Sequence, residues 1–264
     1  MPTDRLRFSA NLSMLFTEVA LPERFRLARE HGFSAVEIQF PYSHDAALLQ
    51  DCLRENHLQL VLFNVDADDL LQGGEGLAAV PEKRGRFKAA VAQALDYAQL
   101  LRPQVINVLP GRCLDSRRLP EYRQTFLENL SYALDAFHPL GIKTVFEAIN
   151  DRDMPGFIIH TGQQMLDVLA EIGHPGLQMQ YDIYHMRRMD EDVSAFITEH
   201  AAGIGHIQFA DVPGRDQPGA GSIDFPGLFA AIAASGYSGL LGAEYIPKGC
   251  TTNSLAWLKT MTAQ

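Results

Sequence analysis

The sequence lacks any apolar run of the roughly 18 residues that a membrane-spanning helix needs. It is also short of positive charge: 22 Lys and Arg stand against 32 Asp and Glu, for a formal net charge of −10. Nucleic-acid-binding surfaces need an excess of Lys and Arg, so this composition argues against a nucleic-acid partner. The three cysteines, Cys52, Cys113 and Cys250, form no Cys-x-x-Cys pair, which favours a reduced, cytoplasmic protein. No apolar segment follows Arg5 and Arg7, so we expect no secretory signal.

What the sequence does contain is a regular alternation of short apolar runs with longer segments of helical period. Its 264 residues are enough for a full hydrophobic core. The candidate strands are Leu6–Ala10, Ala35–Gln39, Leu58–Asn64, Gln104–Val108, Lys143–Glu147, Gln178–Asp182, Ile204–Gln208 and Leu240–Glu244. The first begins at residue 6 and the eighth at residue 240, so the seven intervals average about 33 residues, the length of one βα unit. Eight such units predict an α/β fold, a single (β/α)8 TIM barrel that spans residues 1–264 as one domain.

Capping residues mark several of the predicted helices. Pro22–His31 is predicted to be a helix that ends at Gly32, because glycine readily takes the left-handed conformation found at helix ends. Thr161 and Gln164 have the spacing of a capping box, which predicts the start of another helix. Apolar residues at helical spacing predict a longer helix over Pro81–Leu101.

The segment Val65–Val80 interrupts this regularity. It is long, acidic and glycine-rich, and it follows the third predicted strand. In a barrel of this kind, the loops after the strands surround the catalytic mouth, so the segment could act as a lid. The alternative is a solvated loop.

Four consecutive strands end in oxygen-bearing side chains: Glu147, Asp182, Gln208 and Glu244. The carboxyl ends of the strands form the catalytic face of a TIM barrel, so these groups are expected to meet there. Three carboxylates at one mouth repel each other unless a cation balances them. Oxygen ligands without thiolate or imidazole favour Mg²⁺ or Mn²⁺ over zinc. The alternative is that each side chain faces water at its strand end.

Further polar residues lie near these strand ends. His185 begins the loop after the sixth strand and could reach a metal-bound substrate, although a lone histidine is more often a surface or packed residue. Arg215, after the seventh strand, could pair with a substrate carboxylate or be solvated. Asn64 closes the third strand and could hydrogen-bond a substrate hydroxyl, but a packing role is favoured. Glu37 and His206 are expected to be structural, His206 as a buried, hydrogen-bonded histidine.

Several segments resemble one enzyme family. Ser9–Phe16, Phe40–Tyr42, Tyr181–Met186 and Gly242–Tyr245 are similar to hydroxypyruvate isomerase, a member of the xylose-isomerase-like TIM barrels. The resemblance runs from about Leu6 to Trp257, nearly the whole chain.

The resemblance implies roles for the strand-end residues. Glu147 and Glu244 would be the paired acid and base, and a divalent metal would lie among Glu147, Asp182, Gln208 and Glu244. Related ketose epimerases usually have histidine where Gln208 stands, and the change to an oxygen ligand strengthens the interpretation as Mg²⁺ or Mn²⁺. Arg215 matches an arginine of the family and would hold the substrate carboxylate.

The resemblance leaves two substrates open. Glu55–Leu58 and Leu62–Asn64 are similar to 2-oxo-tetronate isomerase, a close relative of the same family. Glu147–Asn150, Met154–Phe157 and Tyr181–Met186 are closer to hydroxypyruvate isomerase. Because the second group lies nearer to the expected site, it favours interconversion of hydroxypyruvate and tartronate semialdehyde.

Three other functions would require different features of the sequence. A ketose 3-epimerase would act on a substrate without a carboxylate and would not need Arg215. An abasic-site endonuclease on this barrel would need several histidine ligands to zinc and a basic face for DNA. A non-catalytic protein that binds a sugar acid would need no paired glutamates. We therefore expect a small-molecule sugar acid as partner, with no nucleic acid and no membrane, and homo-oligomerisation stays open.

Overall fold

The structure is a computed structural model that describes residues 6–262. Eight parallel strands form a closed barrel in the order β1 to β8, each paired with its neighbours and β8 paired with β1. The strands are β1 (Arg7–Asn11), β2 (Ala35–Glu37), β3 (Gln59–Asn64), β4 (Val105–Asn107), β5 (Lys143–Glu147), β6 (Leu177–Asp182), β7 (Ile204–Phe209) and β8 (Leu240–Ala243). The helices are α1 (Leu21–Glu30), α2 (Ala46–Glu55), α3 (Arg84–Leu101), α4 (Leu119–Phe137), α5 (Gly162–Ile172), α6 (Ile183–Arg188), α7 (Val193–His200), α8 (Phe225–Ala234), α9 (Thr251–Ser254) and α10 (Ala256–Thr262). The predicted fold class, a (β/α)8 TIM barrel, is confirmed.

The predicted strands lie where the structure has them, with small differences at their ends. The largest is at β2, which ends at Glu37, two residues before the predicted end. Glu244 lies one residue beyond β8, but its backbone N–H still donates to the carbonyl of Phe209 at 3.2 Å, so it continues the line of the strand. The predicted strand-end residues therefore reach the same end of the barrel.

The predicted helix signals are also present. Thr161 and Gln164 form the capping box, with both reciprocal hydrogen bonds made at the start of α5. Gly32 has a φ of +95° just after α1, the left-handed conformation that favours glycine at such a position. The long predicted helix begins with a 3₁₀ turn at Pro81–Lys83 and continues as α3.

The apolar core lies between the barrel and the surrounding helices. At the seam where β1 meets β8, Phe8, Phe209, Phe229 and Trp257 pack edge to face, with ring centroids 5.2–6.0 Å apart. Because successive side chains of a strand alternate between its two faces, these outward-facing aromatics leave the neighbouring positions to point into the barrel. Ser9, next to Phe8, is one of them, and the barrel interior is polar there.

The segment Val65–Val80 lies at the mouth, where Leu71 lines the central cavity. It is anchored at several points, although Leu71, Gln72 and Gly73 are exposed. Glu75 accepts hydrogen bonds from the backbone of Leu114 at 2.9 Å and from the hydroxyl of Tyr122 at 2.9 Å, and its last residues are buried. Movement of the segment as a lid stays a prediction. Among residues 6–262, no helix combines the length and the apolar composition needed to cross a membrane.

Candidate active site

The four strand-end residues occupy one buried, hydrogen-bonded group at the carboxyl end of the barrel. Glu147 ends β5, Asp182 ends β6, Gln208 is the second-last residue of β7, and Glu244 follows β8. All four are at most 5% exposed. Three carboxylates are thus held away from water, where their mutual repulsion is strong.

Glu147 has one oxygen fixed by amides and one that faces the centre of the mouth. Its Oε2 accepts hydrogen bonds from Asn107 Nδ2 at 3.1 Å and Gln180 Nε2 at 2.9 Å. Burial raises the pKa of Glu147 well above its ordinary value, and the nearby charges of Glu244 and Asp182 raise it further. This glutamate therefore favours binding a proton, or a cation in its place.

Asp182 presents a free oxygen to the same space. Its Oδ1 caps helix α6 by accepting the backbone N–H of Tyr184 at 2.7 Å. Among the described residues, Oδ2 has no hydrogen-bond partner, and its nearest cationic or imidazole groups are His185 Nε2 and Arg215 Nη2, each 3.6 Å away. Burial raises the pKa of Asp182 to about 7, with the charge of Glu244 adding to the effect and that of Arg215 opposing it.

Glu244 is held by amides on one oxygen and by a guanidinium on the other. Its Oε1 accepts from Asn11 and Gln39, each at 2.9 Å, and from Gln208 at 3.3 Å. Its Oε2 accepts from Arg215 Nη2 at 2.5 Å. Arg215 is the single partner of that oxygen among the hydrogen bonds of the described residues, so release of Arg215 would free it.

Arg215 supplies the positive charge at the mouth. Its backbone has a φ of +58°, a conformation uncommon for a residue with a side chain and often found at functional sites. The guanidinium lies 5.3 Å from the ring centroid of Tyr184, and its Nε is buried without a partner among residues 6–262. An unpartnered, buried donor of this kind is suited to a second anionic group, such as a ligand carboxylate.

A second polar layer lies below the strand ends, around Glu37 and His206, for which the sequence predicts only a structural role. Glu37 Oε1 accepts from Ser9 Oγ at 2.6 Å and pairs with His206 Nε2 at 2.7 Å, while Oε2 accepts from Gln208 Nε2 at 2.8 Å. Burial alone would raise the pKa of Glu37, but His206 and these hydrogen bonds bring it below its ordinary value. A Cβ at Gly242 would lie 2.1 Å from Glu37 Oε1, so the glycine makes room for this carboxylate.

His185 is buried at the mouth beside Glu147 and Asp182. Its Nδ1 lies 2.7 Å from Asn150 Nδ2, and its Nε2 lies 3.9 Å from Glu147 Oε1. Burial lowers the pKa of His185 well below its ordinary value, and nearby arginines lower it further, so the imidazole is neutral.

These groups surround one small cavity of about 110 Å³. Its polar lining consists of Gln39, Asn64, Glu147, Asp153, His185, Arg215 and Glu244. Its apolar lining consists of Phe40, Leu71, Leu109, Ile149 and Met154. Asn64 reaches the cavity while its Oδ1 accepts a hydrogen bond from Asn107 at 3.1 Å. A small ligand with a polar end near the carboxylates and little bulk elsewhere would match this lining.

The structure brings the seven predicted site residues to one mouth, either lining the cavity or directly beneath it. Strand alternation in the sequence places Gln180 below Asp182 on the same face of β6, and the structure has it there, bonded to Glu147. Sequence reasoning missed two other amides that orient the site, Gln39 and Asn150. Asn150 lies in the loop after β5, where no periodic pattern indicates a direction.

The donor set suits a hard divalent cation. Glu147, Asp182 and His185 form a group whose potential ligand atoms lie within 4.8 Å of one another. Asp182 Oδ2 is unpartnered among the described residues, and burial, followed by neighbouring carboxylates, raises the pKa of both Glu147 and Asp182, so a bound cation would stabilise their ionised forms. Gln208 could join such a set through Oε1, which accepts a hydrogen bond from Gln180 Nε2 at 2.5 Å.

Known proteins resemble this chain over nearly its full length. Hydroxypyruvate isomerase of Escherichia coli is 40% identical over 253 residues, which cover 96% of this chain and 98% of that protein. The 2-oxo-tetronate isomerase of Cupriavidus necator is 39% identical over 253 residues, covering 96% and 97%. A crystal structure described as AP endonuclease, family 2, from Brucella melitensis superposes with a TM-score of 0.93 at 36% identity, covering 97% and 98%.

One protein-family model also matches most of this chain. The model of the xylose isomerase-like TIM barrel matches residues 25–261. This match spans most of the chain and agrees with the closed eight-stranded barrel and with the relatives at 39–40% identity. The chain therefore belongs to the xylose isomerase-like TIM barrel family, alongside hydroxypyruvate isomerase and 2-oxo-tetronate isomerase.

Proposed function

We propose that this protein interconverts hydroxypyruvate and tartronate semialdehyde with the help of Mg²⁺ or Mn²⁺. Its broader class, an isomerase, is that of the relatives named above. The observation that carries the narrower proposal is that Glu147, Glu244 and Arg215 line one cavity of about 110 Å³. Two glutamates can move a proton between adjacent carbons, and the guanidinium can hold the carboxylate of a small acid.

Glu147, Asp182, Gln208 and Glu244 would hold the cation. When bound, the cation would stabilise negative charge that develops on the carbonyl and neighbouring hydroxyl oxygens of the substrate. The chemistry of the donors supports this proposal, because buried carboxylate and amide oxygens are the ligands that hard cations prefer.

The reaction itself needs one proton to leave a carbon and one to return to its neighbour. One of Glu147 and Glu244 takes the proton from C3 of hydroxypyruvate, and the other delivers a proton to C2, while the hydroxyl proton passes from the oxygen on C3 to that on C2. A raised pKa suits Glu147 to this work, because a group that exchanges protons near neutral pH is most effective when its pKa lies close to that pH. Glu244 keeps an oxygen available once Arg215 no longer binds it.

Arg215 and the apolar wall give the site its preference for short acids. Arg215 is the permanently charged cation among the described residues that line the cavity. Phe40, Leu71 and Met154 lie on the lining without a charge or a hydrogen-bonding group in their side chains, so a long polyhydroxylated chain would lose its contacts with water there.

The second candidate is 2-oxo-tetronate isomerisation. The Cupriavidus necator relative with that name is as similar to this chain as the one named for hydroxypyruvate. Both substrates are small α-keto acids, and the same glutamates and arginine would serve both reactions. The ratio of kcat/KM for the two acids decides between them.

The main experiment is a panel of substrates in deuterated water with Mg²⁺ or Mn²⁺. The panel contains hydroxypyruvate, 2-oxo-tetronate and an uncharged hydroxyketone of similar size. We expect isomerisation of hydroxypyruvate, deuterium on the substrate carbon and loss of turnover after dialysis against a chelator. Fastest turnover of the uncharged compound would favour a ketose 3-epimerase, and binding without turnover would favour a sugar-acid-binding protein.

Variants test the residues assigned to proton transfer. Glu147→Gln and Glu244→Gln are each expected to lower kcat by at least about 10²-fold, because each removes a general acid–base group. Glu55→Gln, which changes an exposed glutamate at the end of α2, is the matched control and should keep normal turnover. Near-normal kcat in either site variant would remove that residue from the mechanism.

DNA cleavage is the contrasting activity, given the description of the Brucella melitensis structure. Incision at an abasic site would need several histidine ligands to zinc and a basic DNA face. The acidic group here contains one histidine, His185, and the net charge is −10. Zinc-dependent incision of an abasic duplex, without isomerisation of any panel member, would overturn the proposed function.

A further inference from the structure

Asn150 is a buried side chain that touches the site without lining its cavity. It lies three residues beyond Glu147, in the loop that follows β5, and is 0% exposed. Its Nδ2 lies 2.7 Å from His185 Nδ1, a distance typical of a strong hydrogen bond. A side chain in this position controls which nitrogen of the imidazole carries the proton.

Two contacts with Asp153 fix the orientation of the Asn150 amide. Asn150 Oδ1 accepts the backbone N–H of Asp153 at 2.8 Å, and Asn150 Nδ2 donates to Asp153 Oδ2 at 3.0 Å. Turning the amide over would set its oxygen against a carboxylate and its NH₂ against an N–H. Both changes would replace a hydrogen bond by a repulsive contact, so the NH₂ group is the one that faces His185.

The Asp153 carboxylate is itself held in place. The hydroxyl of Tyr184 donates to its Oδ2 at 2.7 Å, and Arg188 Nη2 donates to its Oδ1 at 2.9 Å. These contacts keep it an acceptor for Asn150. The chain of contacts from Arg188 through Asp153 to Asn150 therefore has one consistent direction of donation.

We infer that Asn150 is a positioning residue that holds His185 in the tautomer with its proton on Nε2, which makes His185 a hydrogen-bond donor to substrate and not a metal ligand. The NH₂ of Asn150 needs a lone pair on Nδ1, so Nδ1 carries no proton. The proton of the imidazole is then on Nε2, and that nitrogen has no lone pair for a cation. The tautomer stands on these contacts alone, and the role toward substrate rests on the proposed function.

The Nε2–H of His185 is available at the mouth. It lies 3.6 Å from Asp182 Oδ2 and 3.9 Å from Glu147 Oε1, both beyond hydrogen-bonding distance. His185 lines the cavity, so an oxygen of a bound substrate is the partner that this donor can reach. The group formed by Glu147, Asp182 and His185 thus has the spacing of three metal ligands, but its histidine has the wrong nitrogen protonated.

The direct test is the tautomer of His185 in the wild-type protein. Long-range ¹H–¹⁵N NMR distinguishes protonated from unprotonated ring nitrogens, and comparison with His185→Gln identifies the signals of this histidine. We expect Nε2 protonated and Nδ1 unprotonated, both without metal and with saturating Mg²⁺. A proton on Nδ1 in either sample would overturn the inference, and this test does not depend on any substrate or on a variant at Asn150.

Asn150→Asp tests the control of the tautomer. A carboxylate at this position accepts a hydrogen bond, so it should draw the proton to Nδ1 and leave Nε2 with a lone pair. We expect the NMR pattern to reverse, kcat to fall by about 10- to 100-fold with a smaller change in KM, and Co²⁺ to bind more tightly relative to Mg²⁺. Asp151→Asn, the opposite exchange at the exposed neighbouring residue, is the control and should change neither the spectrum nor kcat.

Asn150→Ala is the alternative variant if Asn150→Asp, which places a second carboxylate beside Asp153, does not fold. It removes the amide without adding charge, and a mixture of both tautomers is then expected. An unchanged Nε2–H signal in a folded Asn150→Ala protein would show that Asn150 does not set the tautomer. If no panel substrate is isomerised while the wild-type spectrum is as expected, the proposed function fails and the tautomer assignment does not.

Discussion

Glu37→Gln is the substitution that the structure predicts to be most damaging below the strand ends. Ser9 and His206 meet Oε1 of this carboxylate at 2.6 and 2.7 Å, while Gln208 and Asn11 donate to Oε2 at 2.8 and 3.4 Å. Glutamine has nearly the same shape, so the change leaves no cavity. It replaces one of the two acceptor oxygens by a donor, in an interior that excludes water.

The magnitude follows from these contacts. Hydrogen bonds to a charged group contribute about 1.5–3 kcal/mol each, and a buried donor without an acceptor costs about 1–3 kcal/mol. With its NH₂ toward Gln208 and Asn11, the new amide faces two amide donors. With its NH₂ toward Ser9 and His206, the hydroxyl and the imidazole would both have to act as acceptors. We therefore expect Glu37→Gln to lower the free energy of unfolding by about 3–5 kcal/mol, because the buried layer loses a charged acceptor that several groups share. Because Gln208 and Asn11 also bind Glu244, kcat/KM should fall by about 10- to 100-fold.

Urea unfolding of the metal-free protein at neutral pH, followed by circular dichroism, measures this effect. The exposed Glu55→Gln is again the control, with a change in unfolding free energy of less than about 0.5 kcal/mol expected. If Glu37→Gln costs less than about 1 kcal/mol with an unchanged m-value, then Glu37 is not a charged acceptor at the centre of this layer. Gln208 would then not depend on Glu37 for its orientation.

Two further predictions concern the charge and the packing of the same region. Added Mg²⁺ should raise the melting temperature more at about pH 8 than at about pH 5. Burial raises the pKa of Asp182 to about 7 and that of Glu147 above its ordinary value. The metal-free folded protein therefore loses stability as these groups ionise with rising pH, and a bound cation would restore it. Equal shifts at both pH values in thermal unfolding would contradict this. Gly242→Ala should lower the free energy of unfolding by at least about 1–3 kcal/mol, because its Cβ would meet the Glu37 carboxylate at 2.1 Å. Gly85→Ala, at the start of α3 with nothing within 4 Å of the new Cβ, should be neutral or stabilising, and similar losses in the two variants would refute the packing argument.

The barrel could be predicted from the sequence because its strands are buried on both faces and recur at a steady interval. β5 and β7 illustrate this, since both strands begin at the predicted positions, Lys143 and Ile204. The predicted end of β2 is two residues too late. Beyond Glu37, Ile38 still donates to the carbonyl of Leu62, and the apolar residues that follow do not reveal where regular pairing stops.

The strand-end carboxylates could be predicted to lie together for a geometric reason. In a closed parallel barrel, every strand delivers its last residue to the same face, so sequence position alone fixes the neighbourhood of Glu147, Asp182 and Glu244. The layer below was harder to recognise. A glutamate within an apolar strand has no signature of its own, and the contact between Glu37 and His206 joins residues 169 positions apart.

The contacts of Arg215 could not be predicted from the sequence, because they depend on the conformation of the loop after β7. The position of Arg215 after β7 could be predicted, but not the loop conformation in which its φ is +58° and its guanidinium donates to Glu244. In the proposed reaction, the contact between Arg215 and Glu244 affects when Glu244 can exchange a proton. If a substrate carboxylate draws Arg215 Nη2 away from Glu244 Oε2, the glutamate becomes free to exchange a proton only when an acid is bound. Binding energy from the carboxylate then contributes to the chemical step, and the uncharged hydroxyketone of the substrate panel should show a lower kcat as well as a higher KM. An unchanged kcat for that compound would mean that Arg215 only binds.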